Sequence, residues 1–335
     1  MRPGSVFALF LLGLCAAAPS YALSSATKSI PIPGTPLEKH EIKDKLGRTV
    51  TYYVNRPATR KPLLLMIQGS GCKRVLAGAG GATYSTLFNL LPFAAEQRFT
   101  VVAVEKPFSG TAPDGAAGTA RECSTEFNED FTAATWLAAL QASLDDARRL
   151  PWVDRQRTLV FGMSEGAVMA ALLAGQDERI TDVISVGGSG TTQLFDFIAS
   201  AYQRCFNRSK CLEDVEAQAR AIAAAPQSST LFAWGHPYKR WSSFFRIDPG
   251  ASLLRSTARI YIAFGTADAS VPALSQELTV ARLLSAGRDV TVSRIPDAGH
   301  GLTSPDQPSM TEIDQQYRRA LAWFWQVPLK GGAAH

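Results

Sequence analysis

The chain has 335 residues, 46% of them hydrophobic and 19% charged, which suits one large α/β domain with an insertion and a sizeable core. Its formal net charge of +5 is scattered, with no Lys/Arg run interleaved with aromatics, which argues against nucleic acid as a partner. Past the N-terminal segment no stretch reaches the roughly 20 apolar residues that span a bilayer, so no membrane span is expected.

The first 22 residues read as a secretory signal peptide. Arg2 supplies a short positive region, residues 6–18 are apolar, and Ser20-Tyr21-Ala22 puts small residues at the −3 and −1 positions of a cleavage site near Ala22. Leu14 is too bulky to precede a lipidated Cys15. The expected location is therefore periplasmic or secreted. Four cysteines then remain: Cys72, Cys123, Cys205 and Cys211. An even count in an exported chain points to disulfides. Cys205 and Cys211 bracket a short polar segment that a local staple would close, which leaves Cys72 with Cys123. Four buried free thiols are the alternative.

Residues 23–47 form an N-terminal extension with a Pro/Ser/Thr-rich, extended lead, and the core begins at residue 48. Residues 48–55 alternate as a strand, and the wholly apolar residues 63–67 read as a strand buried on both faces. Residues 69–81 are glycine-rich and predicted as loop, 84–97 as helix and 100–104 as another buried strand. A Gly/Pro-rich loop over 106–128 leads to a helix predicted over 131–150. Strand 158–161, helix 164–174 and strand 182–186 follow. Residues 191–257 break the alternation, are dense in aromatics and read as a cap insertion. The core resumes over 258–326 with strands 259–264 and 290–295, a helix over 274–286 between them and a closing amphipathic helix over 311–325. Residues 327–335 form a tail. Short apolar strands alternating with helices imply a mostly parallel sheet covered on both faces.

The most informative residues are Gly162-Met163-Ser164-Glu165-Gly166, set between a strand and a helix. Such a turn lifts the serine hydroxyl clear of the sheet in a strained conformation, with a helix N-terminus aimed at the site. A serine hydroxyl needs a base, and the base needs a partner that fixes its tautomer. Of His40, His236, His300 and His335, only His300 follows a late sheet strand, in Asp297-Ala298-Gly299-His300. His40 is expected to precede any sheet strand, and His236 to lie in the cap. Asp268 follows strand 259–264 and is the expected acid, with Asp297 as its rival. Two oxyanion donors are expected: the Glu165 N–H and, from the loop after strand 63–67, the Ser70 N–H, with Gly71 as second choice.

Elbow, acid after one strand, histidine after the last and a glycine-rich loop resemble the α/β-hydrolase superfamily over roughly residues 48–326. The resemblance implies an eight-stranded, mostly parallel sheet with helices on both faces and a cap insertion. It also implies a two-step acyl-enzyme mechanism with no cofactor or metal, with Ser164 as nucleophile, His300 as base then acid, and Asp268 as its orienting partner. Gln68 departs from the histidine often found before the oxyanion glycine, and Glu165 from the small, polar or aromatic residue that often follows the nucleophile. Glu165 is expected to form a local salt bridge, the alternative being a grip on a substrate ammonium. Lys239 and Arg240 are expected on the solvated surface, the alternative being a grip on a substrate carboxylate. The expected function is that of an exported serine hydrolase acting on a small-molecule ester. The alternatives are an aminopeptidase-like peptidase or amidase acting on short peptides, and a catalytically silent binding protein.

Overall fold

The computed structural model describes residues 29–79, 82–110 and 122–326. The expected signal peptide at 1–22, the start of the extension, the tail at 327–335 and His335 lie outside the described residues. The chain opens with β1 (Ile30–Pro31), β2 (Leu37–Lys43), β3 (Thr49–Asn55) and β4 (Lys61–Ile67). A hairpin of β5 (Leu76–Ala79) and β6 (Ala82–Ser85) leads to α1 (Leu90–Ala95) and β7 (Thr100–Val104). Next come α2 (Thr125–Asp130), α3 (Ala133–Ala147), β8 (Val153–Met163), α4 (Glu165–Ala174) and β9 (Asp182–Val186). Residues 191–257 contribute α5 (Gln193–Arg204), α6 (Arg208–Ala224), the short pair β10 (Phe232–Ala233) and β11 (His236–Pro237), α7 (Tyr238–Phe244) and α8 (Pro249–Arg255). The last elements are β12 (Arg259–Gly265), α9 (Ala273–Ser285), β13 (Val290–Ile295) and α10 (Met310–Gln326).

The main sheet runs β1-β2-β3-β7-β4-β8-β9-β12-β13. Pairings from β1 to β7 are antiparallel, and those from β7 to β13 are parallel. Eight strands thus make up the body of the sheet, and two-residue β1 adds a ninth at its edge. Successive side chains of the central strands supply two separate cores, because strand side chains alternate between faces. Leu63, Leu65, Val160, Val183 and Ile260 pack with α3 and α4, whereas Leu64, Met66, Leu159, Ile184 and Tyr261 pack with α1 and α10. Each such side chain, buried on folding, contributes roughly 1.5–3 kcal/mol of hydrophobic stabilisation. Nine of the ten residues of α4 are buried, as a helix apolar on every side requires.

Four expectations need correction, the first being that the loop expected over 106–128 gives way to α2 at Thr125, where Ser124 caps the helix by accepting from the Phe127 N–H. The segment 69–81 is not all loop: β5 starts at Leu76, after buried Val75, and Thr86 closes the hairpin by donating its N–H to the Val75 carbonyl at 3.0 Å. The helix expected over 84–97 is shorter, because β6 uses residues up to Ser85 and Asn89, at φ 61°, blocks helix propagation before Leu90. Finally, His40 does not precede the sheet. It lies in β2, buried and stacked on Tyr52 with ring centroids 4.9 Å apart, because β2 pairs residue for residue with β3.

The parallel strands place their following loops along one edge. Residues 68–71 follow β4, 105–109 follow β7, Ser164 follows β8, 187–190 follow β9, 266–268 follow β12 and 296–300 follow β13. Ligands in open α/β sheets bind outside this carboxyl edge.

Candidate active site

Ser164 sits at the β8–α4 junction with φ 57° and ψ −122°, a conformation rarely adopted by a non-glycine residue. Its N–H donates to the Val186 carbonyl at 2.8 Å, which fixes the apex against β9. The flanking glycines are obligatory. A Cβ on Gly162 would lie 2.1 Å from the Gly166 carbonyl oxygen, and one on Gly166 would lie 2.2 Å from that of Ile67. Strand and helix approach too closely for any side chain.

His300 and Asp268 meet across the β12 and β13 loops. His300 Nδ1 lies 2.8 Å from Asp268 Oδ2, and Asp268 Oδ1 accepts the N–H groups of Ser270 at 2.7 Å and Val271 at 2.9 Å. The carboxylate is 1% exposed and the imidazole 27%. The loops interlock: Ala267 N–H donates to the Ala298 carbonyl at 2.9 Å, and a Cβ on Gly265 would meet that oxygen at 2.1 Å. Arg204, at the end of α5, donates to the Asp268 carbonyl from the other side. Asp297 takes no part in this pairing. It sits exposed in a left-handed turn at φ 54°, and its N–H donates to Thr266 Oγ1 at 2.8 Å.

Gly187 and Gly188 tie these parts together. A Cβ on Gly187 would stand 3.4 Å from His300 Nδ1, and one on Gly188 would stand 3.4 Å from the Ser164 carbonyl oxygen. The loop after β4 closes the other side, where a Cβ on Gly69 would lie 3.4 Å from Ser164 Cβ. Gly187-Gly188 therefore runs between Ser164 and the His300–Asp268 pair on one side, and Ser164 adjoins the Gly69-Ser70-Gly71 loop on the other. The Cys72–Cys123 disulfide, with Cα atoms 5.8 Å apart, fastens this loop to the segment before α2, and Cys205–Cys211 joins the end of α5 to α6.

Beneath Ser164 lies a buried charge cluster: Glu165 forms the salt bridge expected of it, but with Lys106 and Arg240, distant in sequence, which carried no such expectation. Glu165 Oε1 accepts from Lys106 Nζ at 2.7 Å, and Oε2 accepts from Arg240 Nη2 at 2.6 Å and Nε at 3.2 Å. Lys106 Nζ also donates to the carbonyls of Gly69 at 2.7 Å and Gly71 at 3.0 Å. Arg240 Nη1 reaches Gln193 Oε1 at 2.6 Å. Burial alone would raise the Glu165 carboxyl, but the charges of Lys106 and Arg240 outweigh it and hold the group at about 2. Burial pulls Lys106 below the ordinary lysine range, and the facing Glu165 opposes that pull. His236, beside Arg240, is brought down to about 3 by burial and that cation, and so is neutral at pH 7. Arg240 is thus 2% exposed rather than solvated, whereas Lys239 donates to the Glu129 carbonyl.

A second buried group, Asp196 in the first turn of α5, accepts from Ser189 Oγ. Burial, helped by the Asp268 charge, raises its carboxyl to about 7 against the hydrogen bonds that favour ionisation. Lys106 could have been found from sequence by the rule that singles out Asp268, since it too is an ionisable residue just past a buried parallel strand. Arg240 and Asp196 carry no such signal, because their positions depend on how residues 191–257 pack.

No curated protein matches the chain. Among solved structures, the Pyrococcus horikoshii acylaminoacyl peptidase superposes with a TM-score of 0.58 at 15% identity, over 90% of this chain and 43% of that one. The chain therefore spans less than half the length of that peptidase. A Paenibacillus sp. R4 acetyl xylan esterase superposes with a TM-score of 0.56 at 16% identity, covering 88% of this chain and 87% of that one. A putative dienelactone hydrolase from Klebsiella pneumoniae gives a TM-score of 0.54 at 16% identity, covering 87% and 99%. At these identities the likeness is one of fold, the α/β-hydrolase fold. The Prolyl oligopeptidase family matches residues 137–328, more than half of the sequence, and the chain belongs to that family of α/β-hydrolase serine hydrolases.

Proposed function

We propose that this protein is an exported serine hydrolase that cleaves a carboxylic ester through an acyl-enzyme on Ser164. The observation that carries the reading is the 2.8 Å bond between His300 Nδ1 and Asp268 Oδ2, beside a serine held at φ 57°. In this mechanism Asp268 keeps the proton on Nδ1, so Nε2 is free to take the Ser164 hydroxyl proton as Oγ attacks the carbonyl carbon. The charge that develops on the carbonyl oxygen is met by the N–H of Glu165 and that of Ser70, with Gly71 as the alternative donor. His300 then passes its proton to the departing alkoxide. Water, activated by the same base, releases the acid and restores Ser164. Removing one such donor costs about 10²–10³ in rate, and general-base help is worth about 10²–10⁴.

The preference for an ester rests on Glu165. A carboxylate next to the nucleophile is a natural grip for a substrate ammonium, but here two cations already neutralise it. Residues 191–257 act as a cap in this reading, supported by the reach of Arg240 from α7 to Glu165. The disulfides support export, because such bonds persist in oxidising compartments. Peptide or amide hydrolysis is the second reading, favoured by the family match and by the shared catalytic parts. A panel of acyl p-nitrophenyl esters run beside aminoacyl and N-acylaminoacyl anilides tests the choice. Faster turnover of the esters is expected, and faster turnover of the anilides would replace the first reading with the second.

A further inference from the structure

We propose that Lys106 is a positioning residue that sets the oxyanion hole, holding Glu165 and the Gly69-Ser70-Gly71 loop in one clamp; this rests on the reading of Ser164 given above. An ammonium has three N–H donors. All three are used, on the Gly69 carbonyl at 2.7 Å, the Gly71 carbonyl at 3.0 Å and Glu165 Oε1 at 2.7 Å. The Phe131 ring, with its centroid 4.7 Å from Nζ, packs against the same ammonium. The group has no exposed surface, so buried partners alone orient it, with the Trp136 ring centroid 5.9 Å from Nζ.

The consequence follows from peptide geometry. In a trans peptide the carbonyl of one residue and the N–H of the next point in opposite directions, and no cis peptide occurs among the described residues. By drawing the Gly69 oxygen towards itself, Lys106 turns the Ser70 N–H away, to the opposite side of the loop. Gly71, at φ 96°, allows its own carbonyl to swing back to the same ammonium. The other donor, the Glu165 N–H, belongs to the residue whose side chain Lys106 holds. Both N–H groups of the hole are therefore referred to one buried atom. Arg240 completes the arrangement by gripping the second carboxylate oxygen, so that two cations face one anion. The surplus positive charge lies behind the hole, in a buried region where it favours the tetrahedral oxyanion over the neutral ester. Buried ion pairs contribute little net stability as a rule, which agrees with a role in fixing geometry.

The test compares wild type with Lys106→Met, which keeps an unbranched side chain as far as Cε and removes the Nζ group with its three donors. Three quantities are read: kcat and KM for p-nitrophenyl acetate, the inhibition constant of a trifluoromethyl ketone that mimics the tetrahedral state, and the rate of fluorophosphonate labelling at Ser164. We expect kcat to fall about 30- to 300-fold, the inhibition constant to rise in parallel and KM to stay within about threefold. Glu165→Gln keeps the backbone donor and the shape of the side chain but removes the charge that Lys106 and Arg240 share. It should show the same pattern with a smaller loss, about 5- to 50-fold in kcat, and it decides the matter if Lys106→Met does not fold. A folded variant with kcat near that of wild type, or a loss of kcat not matched by weaker binding of the ketone, would overturn the proposal. Wild-type protein is labelled first: absence of an adduct on Ser164 defeats the reading of the nucleophile, and the clamp with it. Normal wild-type labelling with unaffected variants defeats the clamp alone.

Discussion

Replacing Asp196 by Asn should stabilise the protein above neutral pH and leave it little changed in acid. The carboxyl binds its proton at about 7 in the folded chain, against an ordinary value of 3.8, chiefly because it is buried, with the Asp268 charge adding to the rise. Between those two values the folded chain holds a proton that the unfolded chain has released. Stability is therefore lost as pH rises from 3.8 to about 7 and is level above that. At 1.36 kcal/mol per pH unit the full cost is about 4 kcal/mol, of which roughly 2.5 kcal/mol accrues between pH 5 and pH 8. Asn has the same shape and can still accept from Ser189 Oγ, but it has no proton to lose. Urea unfolding of both proteins at intervals from pH 5 to pH 8 gives the difference in unfolding free energy at each pH. The difference should grow in favour of Asp196→Asn by about 2–3 kcal/mol and then flatten. A difference that does not change with pH would refute the reasoning, since it would mean that folded Asp196 titrates as it does in the unfolded chain.

Two further outcomes follow from the geometry. Asp268→Asn should lower kcat about 10³- to 10⁴-fold by freeing the tautomer of His300, whereas Asp297→Asn, which alters an exposed turn, should stay within about threefold; steady-state kinetics on an ester decides between them. Removing the Cys72–Cys123 bond, which spans 51 residues, as a double Ser variant should cost about 4 kcal/mol in urea unfolding, against about 2 kcal/mol for Cys205–Cys211, which spans six. The larger loop should also lower kcat, because its bond fastens the strand-end loop beside Ser164.

Local physics made part of this molecule legible in its sequence. The central strands announce themselves as short apolar runs, and the elbow by two glycines that a Cβ could not replace. Because parallel strands share one carboxyl edge, the residues just past β8, β12 and β13 had to converge, which is how Ser164, Asp268 and His300 come to neighbouring positions. The edge was harder to read. The charged sequence of β2, Leu37-Glu38-Lys39-His40-Glu41-Ile42-Lys43, is that of a strand half exposed to solvent, and only its pairing with β3 reveals it. The hairpin of β5 and β6 is glycine-containing and short, so its pairing depends on contacts with Val75 and Thr86 rather than on an apolar pattern. Arg240 was unreadable for another reason. A cation in an aromatic segment looks like a solvated one until packing brings an anion to it, and Glu165 lies 75 residues away in sequence.

The acyl-enzyme mechanism depends most directly on the nucleophile. Purified protein treated with a fluorophosphonate and mapped by mass spectrometry should carry one adduct, on Ser164, and Ser164→Ala should carry none while keeping its fold. An adduct on another residue, or folded protein that remains unlabelled, would contradict the assignment of Ser164 and with it the acyl-enzyme mechanism.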